Sequence, residues 1–588
     1  MIKKILSYVK SFKIYAFLSP IFVTLEVIMD ILIPYTMSII VDQGIILKDR
    51  DVIIKTGILL VIYVLLSFGA GITSGYLATK ASAGLSKNLR EALYEKIQSF
   101  SFRDIDSFSK GSLVTRLTTD VQNIQMSFQM SIRIAIRSPI MLVFAFIMAF
   151  KINRNLAGYF LFIIPLIGIF VFYIMISVYP TFRQIFKGVD RLNTFVSENL
   201  LGIRVVKSFV REEEQIKGFT EISKFLYEKY IYIQKRFMSL MPFMNFTIYT
   251  ICIIISWVGS KFVVGGSLTT GQLMSLVTYS FQIQISLMIF AMVISQIILS
   301  RNSADRIIEV LDKEVSLVSG ESKKKVEDYT IEFKDVCFSY DKTNADEKSN
   351  RDDEENKYAL CDINLKINPG ENLGIIGGTG SSKSTLVQLI PRLYDVSCGS
   401  VEIGGVDVKD YDLRELRDSI SMVLQKNQLF SGTVRSNLNF GDLNATDEEM
   451  YEALNISDAY TFIMEKGGLD MKVERGGANF SGGQKQRLTI ARSLLKKPKI
   501  LILDDSTSAL DTKTERNITE SLKAHLPDMT RIIISQRVNT LKYCDRIVVM
   551  NEGRIESIGT HEELLKNSKI YNEISTSQER TGDFDEEK

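Results

Sequence analysis

The sequence predicts two unlike domains, an α-helical membrane domain with six spans followed by a soluble α/β domain. Long apolar segments are confined to about the first 300 residues, and short β-branched strands alternate with amphipathic helices in the remainder. A glycine- and serine-rich loop also joins one of these strands to a helix. At 588 residues, the chain is too long for one hydrophobic core.

Composition argues against several classes of function. The formal net charge is only +2, and the basic residues form no stripe, so no nucleic-acid partner is expected. The five cysteines show no CxxC pair, which suits a reducing cytosol. With two histidines in the chain, a histidine-based metal site is not expected.

Six segments are apolar and long enough to cross a bilayer. They lie at 15–41, 56–79, 132–151, 156–179, 243–265 and 272–300. The connections after the second and fourth segments are long and rich in lysine and arginine, whereas the others are short. The positive-inside rule therefore predicts a multi-pass protein of the cytoplasmic membrane with both termini and the soluble domain in the cytosol.

Glu26 and Asp30 lie four residues apart in the first span, so they share one helix face. An intramembrane carboxylate is a functional candidate, here as a cation-attracting wall of a transport cavity. We favour the alternative, a polar helix contact or a water-filled vestibule beside Pro34, since no partner charge is evident. Three glutamines of the last span either line a polar pathway or join helices: Gln282, Gln284 and Gln296.

Changes in composition predict the domain boundaries. The membrane domain is expected over 1–310, a linker over 311–330 and the soluble domain over 331–575. Residues 341–357 are charged and nearly free of apolar side chains, which predicts a disordered insertion. A disordered tail is expected over 576–588.

A phosphate-binding loop is predicted after the strand that contains ENLGII, because a helix begins directly after the loop. Backbone N–H groups and side chains of this loop would hold nucleotide phosphates; the residues are Gly377, Gly378, Thr379, Gly380, Ser381, Ser382, Lys383, Ser384 and Thr385. Lys383 would reach the β- and γ-phosphates, and Ser384 would ligate Mg²⁺. The alternative is a chance glycine–serine turn before a helix.

Two further elements argue against coincidence. The apolar strand KILILDD ends at Asp504, which suits a Mg²⁺-coordinating carboxylate at the carboxyl edge of a parallel sheet. Between the loop and this strand, Ser481–Gln484 immediately precedes a helix. Three phosphate-directed elements in this order predict an ATP site.

With these elements in place, the sequence resembles the ABC transporter family, and within it the bacterial exporters that fuse both domains in one half-transporter. FSGGQ at 480–484 resembles the signature motif, Gln425 the Q-loop and 508–511 the D-loop. The segments 106–121 and 197–214 are similar to the two cytosolic coupling segments. The resemblance implies a six-span transmembrane domain of ABC-exporter type, an α/β P-loop NTPase domain, ATP and Mg²⁺ as cofactors, and ATP-driven export.

The resemblance also implies roles for individual residues. Tyr340 would stack on adenine, with packing on its strand neighbours as the alternative. Gln425 would contact Mg²⁺ and signal to the membrane domain, with a plain surface glutamine as the alternative. In this family, ATP lies between the Walker motifs of one subunit and the signature of the other, here Ser481, Gly482, Gly483 and Gln484.

The sequence departs from the family pattern at three positions on the Walker side. Ser382 stands where glycine is usual, Asp505 where the family has a catalytic glutamate, and Gln536 where it has a histidine. The signature is intact. This asymmetry predicts a degenerate-site half of a heterodimeric exporter of small amphipathic, drug- or lipid-like substrates, working with a second half-transporter in the lipid bilayer. A homodimer with slow sites and an ATP-gated, non-transporting membrane regulator are the alternatives.

Overall fold

The computed structural model describes residues 2–108, 110–320, 325–340, 358–506 and 509–580. The chain forms two compact units, which are Met1–Gln98 with Ser109–Lys313, and Ser99–Phe108 with Glu314–Lys588. Several predicted features lie outside the described residues: part of the linker at 321–324, the insertion at 341–357, Ser508 of the D-loop and the last part of the tail at 581–588.

Long helices build the first unit. The α-helices up to residue 312 are α1 (Ile2–Ser7), α2 (Lys13–Ile39), α3 (Arg50–Gln98), α4 (Phe102–Asp106), α5 (Lys110–Thr115), α6 (Val121–Ile152), α7 (Arg154–Leu201), α8 (Ile203–Ser208), α9 (Glu212–Met238), α10 (Leu240–Val264) and α11 (Thr270–Asp312), of which α4 belongs to the second unit. Six helical stretches among the described residues are long and apolar enough to cross a membrane, which confirms the six-span prediction.

A buried hydrophobic cluster of this unit joins α2 with α6, α7, α10 and α11. Val23, Val27 and Ile31 recur every fourth residue along one face of α2 and are almost fully buried. Tyr279 of α11 is fully buried, and its hydroxyl donates a hydrogen bond to the Ile31 carbonyl at 2.9 Å. The tyrosine therefore brings a large ring into the core without leaving its hydroxyl unpaired.

Two of the glutamines predicted in the last span form hydrogen bonds between helices. Gln284 Nε2 donates to the Met244 carbonyl at 2.7 Å, and Gln282 Nε2 to the Asp30 carbonyl at 3.4 Å. These contacts favour the interhelical alternative for these two side chains.

The second unit combines a parallel sheet with a smaller antiparallel one. Its strands are β1 (Ile331–Phe338), β2 (Leu360–Ile367), β3 (Asn372–Gly377), β4 (Cys398–Ile403), β5 (Val406–Asp407), β6 (Ile420–Val423), β7 (Gly432–Thr433), β8 (Lys472–Val473), β9 (Ile500–Asp504), β10 (Thr530–Ile534), β11 (Arg546–Asn551) and β12 (Arg554–Gly559). Its later helices are α12 (Lys383–Leu389), α13 (Leu413–Asp418), α14 (Val434–Leu438), α15 (Asp447–Ile456), α16 (Tyr460–Glu465), α17 (Gly482–Leu495), α18 (Thr512–His525), α19 (Val538–Leu541), α20 (His561–Asn567) and α21 (Lys569–Arg580). The last helix extends into the tail that the sequence predicts as disordered.

The larger sheet has the order β12-β11-β3-β10-β9-β6, and only β12 runs antiparallel to its neighbour. The strands β3, β9 and β10 are buried at every position, as expected for parallel strands covered on both faces. The antiparallel sheet has the order β2-β1-β4-β5. Together these sheets provide the α/β domain that the sequence predicts.

The short segment Ser99–Phe108 lies in sequence between the two parts of the membrane unit, but it belongs to the second unit. Ser101 caps α4 in a reciprocal arrangement with Asp104, and the Asp104 carboxylate also accepts a hydrogen bond from the Ser316 N–H at 3.0 Å. The Tyr394 hydroxyl donates to Asp106 Oδ2 at 2.9 Å. The predicted coupling segment at 106–121 begins in this stretch, and its coupling role stays a prediction.

Candidate nucleotide site

Four strands bring the predicted site residues to one edge of the sheet. In spatial order, the neighbours β3, β10, β9 and β6 end at Gly377, Ile534, Asp504 and Val423. The chain continues from these ends into the predicted P-loop, Gln536, Asp505 and Gln425 respectively. Ligands of open α/β sheets bind beyond the carboxyl ends of parallel strands, so the topology favours a ligand at this edge.

The P-loop is a tight turn between β3 and α12. A Cβ atom at Gly377 would lie 2.2 Å from the Met550 carbonyl oxygen, so only glycine fits there. Lys383 is buried, and its ammonium donates to the carbonyls of Gly377 at 2.9 Å and Gly378 at 2.8 Å. The lysine side chain therefore folds back over its own loop.

The charges in this loop suit a phosphate and a cation. Burial lowers the pKa of the Lys383 ammonium, and the carboxylates of Asp505 and Asp504 oppose that shift. Burial raises the pKa of Asp504, although Ser384 Oγ donates to its Oδ1 at 2.7 Å. An anion beside Lys383 and a cation beside Asp504 would each favour the charged form of its neighbour, so these residues fit a Mg²⁺–nucleotide.

No group of three or more His, Cys, Asp or Glu side chains in the described part of the chain has an arrangement that could hold a metal. A Mg²⁺ ion at Ser384 and Asp504 would therefore depend on phosphate oxygens for part of its coordination, as is usual for Mg²⁺ in phosphoryl-transfer sites.

Gln425 and Asp505 meet across neighbouring strands. The Gln425 Nε2 donates to Asp505 Oδ2 at 3.3 Å, and the Asp505 N–H donates to the Ile534 carbonyl at 3.1 Å. Asp505 adopts a φ of +47°, which aspartate tolerates better than most residues. The predicted Q-loop and the residue after Asp504 therefore form one hydrogen-bonded pair, whereas Gln536 is exposed and its carbonyl accepts from Gln578 Nε2 at 2.6 Å.

Tyr340 is 47% exposed and lies beside the first turn of α12. Its hydroxyl is 3.0 Å from Thr385 Oγ1, and its ring packs edge-on against Phe338 and Tyr394. Tyr340 therefore lies near the helix that follows the P-loop and also packs on its aromatic neighbours. Its role in binding adenine stays a prediction.

The predicted signature forms the start of α17. Ser481 accepts a hydrogen bond from the Gln484 N–H, and Gln484 accepts one from the Ser481 N–H, which is a complete capping box. A Cβ atom at Gly483 would lie 3.0 Å from the Ala509 carbonyl oxygen, and the Ala509 N–H donates to Gln486. The signature turn is therefore held against Ala509 of the predicted D-loop.

Replacing Ser382 with glycine is expected to stabilise the loop. Ser382 has a φ of +66°, a conformation that costs a residue with a Cβ atom about 1–2 kcal/mol. The greater freedom of glycine in the unfolded chain cancels about 0.5–1 kcal/mol of that gain. Slower amide hydrogen exchange across residues 383–389 of the nucleotide-free chain would report the stabilisation.

Two neighbouring glycines provide matched controls. A Cβ atom at Gly380 or Gly378 would have no neighbour within 4 Å, but only Gly380 has a positive φ, +84°. Gly380→Ala should therefore accelerate exchange, and Gly378→Ala should not. Faster exchange in Ser382→Gly would contradict the assignment of backbone strain to Ser382.

Sequence reasoning missed a charged partner in the membrane unit. Arg137 Nη2 lies 2.8 Å from Asp30 Oδ2, and Arg137 Nε lies 3.3 Å from Glu26 Oε1. The sequence analysis identified no partner charge for these carboxylates, and the structure supplies one in Arg137. The available signal was the presence of Arg133 and Arg137 four residues apart in the third apolar segment, a spacing that places both on one helix face.

Comparisons with known proteins agree with this architecture. Residues 16–287 match the family described as ABC transporter transmembrane region, and residues 360–508 match the family described as ABC transporter. An uncharacterised ABC transporter ATP-binding protein, YfiB from Bacillus subtilis (strain 168), is 33% identical over 98% of both chains. The chain therefore belongs to the ABC transporter family.

Within that family, the chain is a half-transporter of the exporter type, a multi-pass membrane protein whose transport ATPase domain binds ATP. The ATP-dependent lipid A-core flippase of Hahella chejuensis (strain KCTC 2396) is 30% identical over 84% of this chain and 83% of its own. The solved structure of a bacterial Atm1-family ABC exporter with ATP bound shares the fold, with a TM-score of 0.79 at 21% identity over 99% of this chain and 100% of that chain. ABC exporters work as dimers.

Proposed function

We propose that this chain is the degenerate-ATP-site half of a heterodimeric ABC exporter that moves a small amphipathic substrate across the cytoplasmic membrane. The observation that carries the proposal is the combination of a short carboxylate, Asp505, paired with Gln425 on the Walker side, and a complete helix cap at Ser481 on the signature side. The Walker side therefore departs from the family pattern, whereas the signature side retains it.

On the Walker side, Lys383 holds the β- and γ-phosphates, the P-loop amides cradle them, and Tyr340 supports the adenine. Ser384, Asp504 and Gln425 would hold Mg²⁺, which neutralises phosphate charge when it is bound. The 2.7 Å hydrogen bond between Ser384 and Asp504 supports this role because it places two hard oxygen ligands together.

Slow hydrolysis follows from the position of the Asp505 carboxylate. Its side chain is one methylene shorter than that of glutamate, so the carboxylate is withdrawn by about 1.5 Å. A misplacement of about 1 Å can reduce a rate about a hundredfold when a base must meet its proton. Gln536 provides an amide where the family has an imidazole, so it can donate a hydrogen bond to a γ-phosphate but cannot carry a positive charge.

The signature side acts on the partner subunit. Ser481 and the N–H groups of Gly482 and Gly483 lie at the N-terminus of α17, a position that suits an anion. We infer that Ser481, Gly482, Gly483 and Gln484 complete a competent ATP site whose Walker motifs belong to a different half-transporter. In this arrangement the nucleotide domain faces the cytosol.

The test is the steady-state ATPase activity of this chain alone and of the same chain co-purified with a candidate partner half. We expect near-zero turnover alone and restored turnover with a partner that carries the Walker glutamate. Stimulation of the complex by amphipathic compounds would support transport over ATP gating without transport. Robust turnover of the chain alone, abolished by Lys383→Ala, would instead establish a homodimer with two working sites.

A further inference from the structure

A cavity of about 540 Å³ lies between α2, α3 and α6 in the membrane unit. Four charged side chains line it: Glu26, Asp30, Arg133 and Arg137. Their formal charges sum to zero. Charged side chains are rare at membrane depth because they are costly there, so this cluster needs a compensating structure or a ligand.

Asp30 and Arg137 form hydrogen bonds within the unit. Asp30 Oδ1 accepts from Ser67 Oγ at 2.6 Å, and Asp30 Oδ2 accepts from Arg137 Nη2 at 2.8 Å. Both carboxylate oxygens therefore have a partner from within the unit, and Arg137 is committed to the α2 carboxylates. Asp30 and Arg137 form the structural part of the cavity wall.

Glu26 is different. Its side chain is 12% exposed, and its Oε2 is buried without a hydrogen-bond partner. Arg137 Nε lies 3.3 Å from the other oxygen, but the geometry makes no hydrogen bond. A buried acceptor without a donor is costly, so Glu26 has an unmet requirement for an N–H group.

Arg133 offers the complementary groups. Its Nη2 donates to the Gly71 carbonyl at 3.3 Å, and the guanidinium has several further N–H donors. A Cβ atom at Gly71 would lie 3.3 Å from Glu26 Cδ, and one at Gly75 would lie 3.3 Å from Arg133 Nη1. The two glycines are one helical turn apart on α3. Glu26 lies against Gly71, and the Arg133 guanidinium reaches both Gly71 and Gly75.

Apolar and aromatic side chains form another part of the cavity wall. Phe68, Ile72 and Tyr76 of α3 also line it, and they are 66%, 56% and 62% exposed. They offer a surface for hydrocarbon beside Glu26 and Arg133.

We propose that this cavity binds a zwitterionic amphiphile, with its primary ammonium at Glu26, its phosphate or carboxylate at Arg133 and its hydrocarbon on Phe68, Ile72 and Tyr76. This inference rests on the proposed export function and names its substrate class. A zwitterion supplies the donor that Glu26 lacks and an acceptor for Arg133 without adding net charge to a low-dielectric site. A simple cation would face two arginines, and a simple anion would face two carboxylates.

The test uses the full chain with its partner half in nanodiscs of phosphatidylglycerol, without ATP. Three probes share one tail and differ in the head: dodecyl phosphoethanolamine, dodecylamine and dodecyl phosphate. We expect the zwitterion to bind about tenfold more tightly than either of the others, as one added charge-assisted hydrogen bond allows.

Two variants distinguish the contributions of the ammonium and the phosphate of the headgroup to binding. Glu26→Gln should reduce binding of the zwitterion and the amine but not of the phosphate, and Arg133→Gln should reduce binding of the zwitterion and the phosphate but not of the amine. Thr73→Val is the matched control, because Thr73 lies half-buried on the same helix and its hydroxyl donates to the Gly69 carbonyl of its own helix. Arg133→Lys should retain part of the phosphate preference, which guards against a folding defect in Arg133→Gln.

Equal affinity for all three heads in the unmodified protein, or an equal loss for all three in each variant, would overturn the proposal. Because the assay needs no ATP, missing head selectivity with partner-dependent ATPase intact would contradict only this inference. Preserved selectivity without partner-dependent ATPase would contradict only the proposed function.

Discussion

Asp505→Glu should raise ATP turnover at this chain's own site about a hundredfold, because it extends the carboxylate by the missing methylene. Gln425 Nε2 lies 3.3 Å from the present carboxylate and can adjust to the longer side chain. The measurement is single-turnover hydrolysis in the assembled complex, with the partner's Walker lysine replaced so that only this site contributes.

Asp505→Asn is the control, because it keeps the size of the side chain and removes its basicity. Its rate of ATP hydrolysis at this site should fall below that of the unmodified chain. The hydrolysis rate could remain unchanged both in Asp505→Glu and in the double variant that also carries Gln536→His. In that case, the position of the carboxylate does not limit hydrolysis at this site.

Ser481→Ala in this chain should lower turnover of the complex about a hundredfold, as the loss of one preorganised donor to a transition-state anion does elsewhere. Asp504→Asn in the same chain should leave most of the turnover. The physical reason is the proposed division of labour, in which Ser481 serves the competent site and Asp504 serves the slow one. Steady-state ATPase activity of the co-purified complex measures both variants.

Thr446→Ala controls for the lost helix cap. Thr446 caps α15 with Glu449 in the same reciprocal manner as Ser481 caps α17, so its loss also costs about 1 kcal/mol of helix stability. Its turnover should stay close to that of the unmodified complex. A greater loss in Asp504→Asn than in Ser481→Ala would reverse the assignment of the two sites.

Much of the fold could be predicted because its signals are local. Each of the six apolar segments is long enough to be identified as a membrane span. The buried strand that ends at Asp504 is an uninterrupted apolar run in the sequence. The loop before Lys383 is visible because glycine clusters mark backbone conformations that other residues resist. Such patterns need no knowledge of distant parts of the chain.

Distant contacts could not be predicted in the same way. The pairing of Gln425 with Asp505 depends on β6 lying next to β9, and a single sequence does not specify strand order. The assignment of Ser99–Phe108 to the second unit depends on hydrogen bonds such as that of Asp104 with Ser316. These side chains meet only after the chain has folded.

Local sequence patterns predict the two-domain architecture and the phosphate-binding loop and indicate the family, since each depends on the order and spacing of nearby residues. Helix packing, which these patterns do not specify, brings Arg137 to Glu26 and Asp30, leaves one Glu26 oxygen unpaired and places Arg133 against Gly71 and Gly75 of α3. The physical reason is that the cost of a buried charge depends on its neighbours in space, which helix packing selects.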